Sequence, residues 1–191
     1  MVIVDRVVAK APDEFQDRAL IDLTDFMLIE DKGMTGLFAY WRDLRIRSKG
    51  NALPTFDQLR WEPIVKLGMH HRVNVIDISA ENPMAFHVEM QATLSYIRSR
   101  HNLKGTCIGE NKNRLHADGL QQDYVTVKQR GQPRYHDILN RVDGRWRAYR
   151  RLILPFAGVD GRTVEKLLIG VRVGAPDVVQ RELRPRVEPG D

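Results

Sequence analysis

Apolar and polar residues alternate most clearly in the last third of the chain. The spacing predicts a strand over residues 135–142, a longer strand over 146–156 and a third over 164–173. An Asp-Gly pair lies between neighbouring strands, at Asp143–Gly144 and again at Asp160–Gly161. Such pairs favour tight hairpin turns because glycine readily takes positive φ. The C-terminal third therefore predicts a three-stranded antiparallel meander.

Two further strands are predicted in the middle of the chain. Val73–Ile78 is a run rich in β-branched residues, and apolar and polar positions then alternate over residues 84–90. Residues 91–123 are mixed in character and predict short helical pieces, with a helix that ends near Gly131. A helical segment is therefore expected to connect the two groups of strands.

The N-terminal part has helical rather than strand periodicity. Phe15, Ala19, Leu23 and Met27 recur at intervals of four residues, which predicts one acidic helix over residues 12–30. Acidic residues in its first turn would interact favourably with the helix dipole. Since helices and strands are segregated along the chain, the order predicts an α+β fold with one antiparallel sheet.

The composition suits a single globular domain of 191 residues and 22.0 kDa. A single cysteine, Cys107, excludes an intramolecular disulfide and any Cys-x-x-Cys zinc or redox site. No apolar run approaches the ~20 residues that a membrane-spanning helix needs, and the N-terminus has no signal-peptide pattern. We therefore expect a cytoplasmic protein that makes no membrane contact.

Charge is unevenly distributed around the net value of +5. Residues 1–33 contain eight acidic and four basic side chains, whereas residues 34–173 contain 13 acidic and 23 basic ones. Together with the periodicities, these counts predict an acidic helical arm over 1–34, a basic domain over 35–173 and a tail over 174–191. The arm either docks on the basic domain, meets another copy of the chain, or is simply solvated.

Several short motifs occur in an order and spacing typical of one known family. They are Tyr40–Arg45, Leu53–Pro54, Phe86 followed by Ala92–Thr93, Asn102–Gly105, and Arg150–Pro155 ahead of Asp160–Gly161. Together these motifs resemble those of stand-alone bacterial PAS-like proteins, and the resemblance covers residues 35–173. The predicted order of two strands, a run of short helices and three hairpin strands is also that of a PAS domain.

The resemblance implies a five-stranded antiparallel sheet with helices on one face and extra N-terminal helices. It implies a non-enzymatic sensory or protein-interaction module in bacterial signalling. Such a module binds a small ligand between the sheet and the middle helices, or holds nothing and pairs with other signalling proteins. Helices N-terminal to a PAS domain often transmit the signal and form the dimer contact, so we expect a homodimer through the N-terminal helices.

A ligand pocket would lie between the sheet and the middle helices. Its expected lining is largely apolar with a few polar tips, as in most small-molecule sites. The expected lining residues are Met90, Tyr96, Ile97, Cys107, Leu115, Leu120 and Tyr124. The alternative interpretation is that the same side chains simply fill the core.

Arginines concentrate in the second strand of the predicted meander. Arg145, Arg147, Tyr149 and Arg151 alternate onto one face and predict a cationic, partner-binding stripe, while Arg150 falls on the opposite, core-facing side. Guanidinium groups beside aromatic rings bind carboxylates, phosphates or stacked bases. We rank the acidic N-terminal helix or an acidic protein first as the occupant of this stripe, nucleic acid second, and plain solvation close behind.

Enzyme and cofactor chemistry have little support in the sequence. The chain has no dinucleotide-binding, Walker, zinc-protease or nucleophile-elbow motif. Cys107 lacks the context of flavin-bonding cysteines, and the stretch before His116 is too polar for a haem pocket. The adjacent His70 and His71 diverge, so they form a poor metal clamp. We therefore expect no flavin, haem or metal, and keep a small-molecule enzyme on a cone-like α+β fold as a third alternative.

Overall fold

The computed structural model describes residues 3–7, 15–48, 52–94, 102–142 and 145–174. Its α-helices are α1 Leu23–Ile29, α2 Lys32–Arg47, α3 Trp61–Lys66 and α4 Arg114–Arg130. Its strands are β1 Ile3–Val7, β2 Phe15–Ile21, β3 Val73–Asp77, β4 His87–Met90, β5 Arg134–Val142, β6 Arg145–Ala157 and β7 Val164–Val173. Short 3-10 helices lie at Phe56–Gln58, Pro83–Ala85 and Ile108–Glu110.

The strands form one antiparallel sheet in the order β1-β2-β5-β6-β7-β3-β4. The predicted α+β class is confirmed, and so is the C-terminal meander of β5, β6 and β7. The Val73–Asp77 strand pairs with β7, with Val75 opposite Leu168, so the early and late strands belong to the same sheet. The described part of the sheet has seven strands rather than five because β1 and β2 extend it beyond β5.

The prediction of one helix over residues 12–30 is wrong for the segment that forms β2. A spacing of four residues also keeps side chains on one face of a strand, so it cannot by itself separate the two structures. Pairing with β5 decides the outcome, since Ala19 lies opposite Asp137 and Ile21 opposite Tyr135. The helix begins only after Asp22, whose side chain caps it by accepting a hydrogen bond from the Thr24 amide.

Helices cover both faces of the sheet, which corrects the prediction that they lie on one face. Successive residues of a strand point to opposite faces. In β6, Arg150 contacts Glu30 at the junction of α1 and α2, whereas its neighbour Arg151 contacts Asp123 of α4. The N-terminal helices and α4 therefore pack on opposite sides of the same strand.

The helix α2 packs closely on the sheet through an apolar face. Met34, Leu37 and Trp41 are buried, and the Trp41 indole donates a 2.8 Å hydrogen bond to the Pro155 carbonyl of β6. At the contact with β7, a Cβ on Gly170 would lie 2.9 Å from Leu37 Cδ2, so the glycine permits the close approach.

On the other face, α4 is capped at its N-terminus by Asn113, whose side chain accepts a hydrogen bond from the His116 amide. It ends at Gly131, which has the left-handed φ of 58° that favours glycine after a helix. Among the residues that the structure describes, no helix is long and apolar enough to span a bilayer.

Candidate functional site

The expected pocket residues are only partly brought together. Tyr124 is buried in the main apolar core, and Met90 and Leu120 pack against that core while half-buried. Leu115 is half-buried on α4, and Cys107 is half-buried opposite His87 at an isolated bridge beside β4. The other two, Tyr96 and Ile97, lie outside the described residues.

A buried polar cluster lies beside these residues, between α4 and the sheet. We call it the Asp123 cluster, and its members are Asp123, Arg18, His136 and Arg151. The strand pairing places His136 opposite Arg151 on one face, with Arg18 on the same face of β2. Helix α4 then brings the Asp123 carboxylate onto that face.

The Asp123 carboxylate holds the cluster together. Its Oδ2 accepts from Arg151 and lies 3.0 Å from Arg18 Nη1, and its Oδ1 lies 3.5 Å from His136 Nε2. Arg18 also donates to the Gly119 carbonyl at 2.8 Å. Asp123, His136 and Arg151 are each no more than 4% exposed. Because the carboxylate already accepts from guanidinium groups, it is poorly suited to act as a general base.

The electrostatics of this layer favour neutral histidines and an ionised carboxylate. Burial and nearby guanidinium groups together lower the pKa of His136 to about 3 and that of His116 to about 4, although the Asp123 carboxylate acts in the opposite direction. Burial alone would raise the pKa of Asp123, but Arg151, His136 and Arg18 outweigh it and hold that pKa below its ordinary value. At neutral pH two guanidinium groups therefore face one carboxylate in the cluster.

Three buried polar atoms in this layer have no hydrogen-bond partner in the described structure. They are His136 Nδ1, Arg151 Nε and Asn140 Oδ1, all on side chains at most 4% exposed. The Asn140 amide nitrogen lies 3.3 Å from His116 Nδ1. Buried polar atoms are nearly always paired with protein, water or a ligand. These three atoms therefore leave hydrogen-bonding capacity unused in this layer.

A second cluster lies on the opposite face, under the junction of α1 and α2, and it is buried except for Arg172. We call it the Glu30 cluster, and its members are Glu30, Tyr135, Asp137, Arg150 and Arg172. The Glu30 side chain is fully buried, accepts from the Tyr135 hydroxyl, and lies 3.4 Å from Arg150 and 3.3 Å from Arg172. Asp137 lies 3.6 Å from Arg150, and burial raises the pKa of that carboxyl to about 6.

In its described residues, the predicted cationic stripe is not an exposed surface. Arg151 is buried against Asp123, so this member of the stripe is not available to a partner, and the expectation is wrong for it. Arg147 and Tyr149 are half-buried, and the Arg145 side chain lies outside the described part. The physical reason is that α4 covers this face and supplies the counter-charge.

The two clusters were not predicted from the sequence. The feature of the sequence that points to the clusters is in β6, which carries a charged residue on each face, at Arg150 and Arg151. Their partners Glu30 and Asp123 are remote along the chain and carry no motif. Within the described residues, no group of three His, Cys, Asp or Glu side chains has the geometry to hold a metal ion.

The chain matches no protein-family model, no curated protein and no solved structure. Function is therefore inferred from the strand order, the two buried clusters and the sequence resemblance.

Proposed function

We propose that this chain is a stand-alone PAS-like sensory or interaction module of bacterial signalling, without catalytic activity, that works as a homodimer. The observation that carries the proposal is the strand order. Strands β4, β3, β7, β6 and β5 are consecutive neighbours, and the connection from β4 to β5 carries α4 across one face of the sheet. The order along the chain of two strands, a helical connection and three hairpin strands is the one that the sequence resemblance implies for residues 35–173.

The space between α4 and the sheet is where such a module would hold a small ligand. One part of the region between α4 and the sheet is apolar and includes Tyr124 and Val127. The other part is the Asp123 cluster, in which Arg151 Nε and His136 Nδ1 have no hydrogen-bond partner. A small ligand with one apolar side and one anionic or carbonyl group would satisfy both parts, because guanidinium groups pair well with such oxygens.

A ligand at this place would also be linked to the N-terminal helices. Arg150 and Arg151 are successive residues of β6, and His136 and Asp137 are successive residues of β5. One residue of each pair belongs to the Asp123 cluster and the other to the Glu30 cluster. A ligand that competes with Asp123 for Arg151 would shift the backbone that positions Arg150 under α1 and α2. Such a differential contact is what a coupling free energy requires.

The experiment is native mass spectrometry and visible absorption of freshly purified protein, followed by a thermal-shift screen of small carboxylic acids. For any binder, hydrogen–deuterium exchange is compared with and without it. We expect changed protection in α4 and β6 and, in the same sample, in Leu23–Ile29. Multiple-turnover conversion of a bound compound would refute the non-enzymatic assignment. A binder that changes exchange only outside α4 and the sheet would refute the proposed ligand position.

The alternative of a basic adaptor for nucleic acid or an acidic protein has less support. It relied on an exposed stripe of Arg145, Arg147, Tyr149 and Arg151. Since Arg151 is engaged with a buried carboxylate, the stripe loses one of its guanidinium groups.

A further inference from the structure

The Glu30 cluster holds one guanidinium group between two buried carboxylates. The side chains of Glu30, Asp137 and Arg150 are 0%, 1% and 8% exposed. Arg150 Nη1 lies 3.4 Å from Glu30 Oε1, and Arg150 Nε lies 3.6 Å from Asp137 Oδ2. Charge-assisted hydrogen bonds in proteins usually measure about 2.7–2.9 Å. Both contacts are therefore long, and the guanidinium group is shared between the two carboxylates.

The two carboxylates differ in the number of their other partners. Glu30 accepts from the Tyr135 hydroxyl and also lies 3.3 Å from Arg172. Neither oxygen of Asp137 has a hydrogen-bond partner among the described residues, and neither has Arg150 Nε. A poorly paired buried charge is unfavourable, and protonation removes the charge. Asp137 is therefore the carboxylate of the cluster that is best placed to bind a proton.

The other described elements around Asp137 supply no second counter-charge. The charged and titratable residues that face Asp137 or flank it by register are Arg150 on β6, Arg172 on β7, Tyr135 on β5, Glu30 and Asp31 at the junction of α1 and α2, and Asp17 and Arg18 on β2. Directly opposite Asp137 on β2 is the uncharged Ala19. Among the side chains that the structure describes, only Arg150 forms an ion pair with Asp137. Protonation of Asp137 therefore acts first on Arg150.

We infer that the Glu30 cluster is a proton-operated switch, in which protonation of Asp137 moves Arg150 towards Glu30 and so fixes the junction of α1 and α2 on the sheet. When Asp137 is ionised, two buried carboxylates repel each other and compete for the same guanidinium group. When Asp137 is protonated, its attraction for that group is lost, and Arg150 pairs with Glu30 alone. The proton is held by the Asp137 carboxyl group, and no other group of the cluster changes its charge.

The junction of the two helices is the part of the fold that this change reaches. Glu30 is the C-terminal cap of α1, and Asp31 is the N-terminal cap of α2. Burial raises the pKa of Asp137 to about 6, with Arg150 lowering it and Glu30 raising it. We therefore expect the contact between Arg150 and Glu30 to be tight below about pH 6 and loose above it. The switch adds the proton as a signal to the proposed sensor, and it requires neither a small ligand nor a second copy.

An NMR titration of the isotope-labelled full chain between about pH 4.5 and pH 8 tests the switch. The carboxyl carbon of Asp137 reports its protonation directly, and the amides of Leu23–Ile29 and Asp31 report the junction. We expect both sets of signals to change with one midpoint of about 6.

Two variants assign the transition in the amides to Asp137. Asp137→Asn should abolish the transition and hold the amides at their low-pH positions, because the asparagine side chain stays uncharged. Asp25→Asn is the matched control, since Asp25 is an exposed acid on α1, and it should leave the transition in place.

The competing carboxylate is tested by Glu30→Gln, which removes its charge and keeps its size. The variant should lower the midpoint of the Asp137 carboxyl signal by about one pH unit, and it decides the outcome if Asp137→Asn does not fold. An Asp137 midpoint of about 4 in the wild type, or one unchanged by Glu30→Gln, would overturn the switch. So would an amide transition that persists in Asp137→Asn, because the exposed His70 and His71 would then account for it. Each of these results leaves the ligand-position test of the proposed function standing.

Discussion

Removing the charge of Asp123 should destabilise the protein far more than its single position on α4 suggests. Asp123→Asn keeps the size of the side chain, so packing is preserved and only the carboxylate charge is lost. The variant leaves Arg18 and Arg151 buried at 7% and 3% exposure without their counter-charge. Breaking a buried ion pair from one side costs about 3–5 kcal/mol. For a domain of this size, that loss lowers Tm by roughly 6–20 °C.

The assay is urea unfolding followed by circular dichroism, with the free energy of unfolding extrapolated to water. The matched control is Asp118→Asn, an exposed acid on the same helix, which should change stability by no more than about 0.5 kcal/mol. The loss of stability in the double variant Asp123→Asn with Arg151→Met should be about 1–3 kcal/mol smaller than the sum of the losses in the two single variants. The reason is that the double variant also removes one of the two guanidinium groups that Asp123→Asn leaves without a counter-charge. A loss below about 1 kcal/mol for Asp123→Asn would refute the view that the cluster fixes the position of α4 on the sheet.

Two further stability measurements test the opposite face of the sheet. Burial raises the pKa of Asp137 to about 6 in the folded state, whereas the pKa is about 3.9 in an unfolded chain. The folded state therefore loses stability as the pH rises from about 4 to about 6, because the buried carboxyl group resists ionisation. Asp137→Asn should therefore gain up to about 3 kcal/mol relative to the wild type across that window, and a constant difference would contradict the assignment. Gly170→Ala should cost about 1–3 kcal/mol because its Cβ would lie 2.9 Å from Leu37 Cδ2 in the core, and an unchanged urea midpoint would show that the ends of Leu37 and Met34 rearrange at little cost.

The C-terminal strands were predictable in part because the turn between β6 and β7 is made by neighbouring residues. The predicted strand over 164–173 has the observed bounds, and the two before it differ by one residue at their ends. Asp160 accepts hydrogen bonds from the Arg162 and Thr163 amides, and Gly161 takes φ of 66°. These interactions involve neighbouring residues only, so the sequence specifies them without reference to the rest of the fold.

The N-terminal strand and the buried clusters were not predictable for the opposite reason. β2 becomes a strand by pairing with β5, and the paired residues Ala19 and Asp137 are far apart along the chain. Arg150 and Glu30 are separated by 120 positions. A charged residue in a strand is normally exposed, so its burial becomes evident only once the helix that carries the counter-charge is placed.

The two clusters bear on how α4 and the N-terminal helices are held in position. Apolar contacts are non-directional, so a helix packed only by them could slide along the sheet at modest cost. A shift of α4 by one turn, about 5.4 Å, would move Asp123 out of reach of Arg18 and Arg151. Buried ion pairs add little net stability compared with apolar packing, but they select one position over its neighbours. In the proposed sensor, a ligand that competes for Arg151 would therefore act on the contact that fixes the position of α4, rather than on the apolar contacts that hold the layers together.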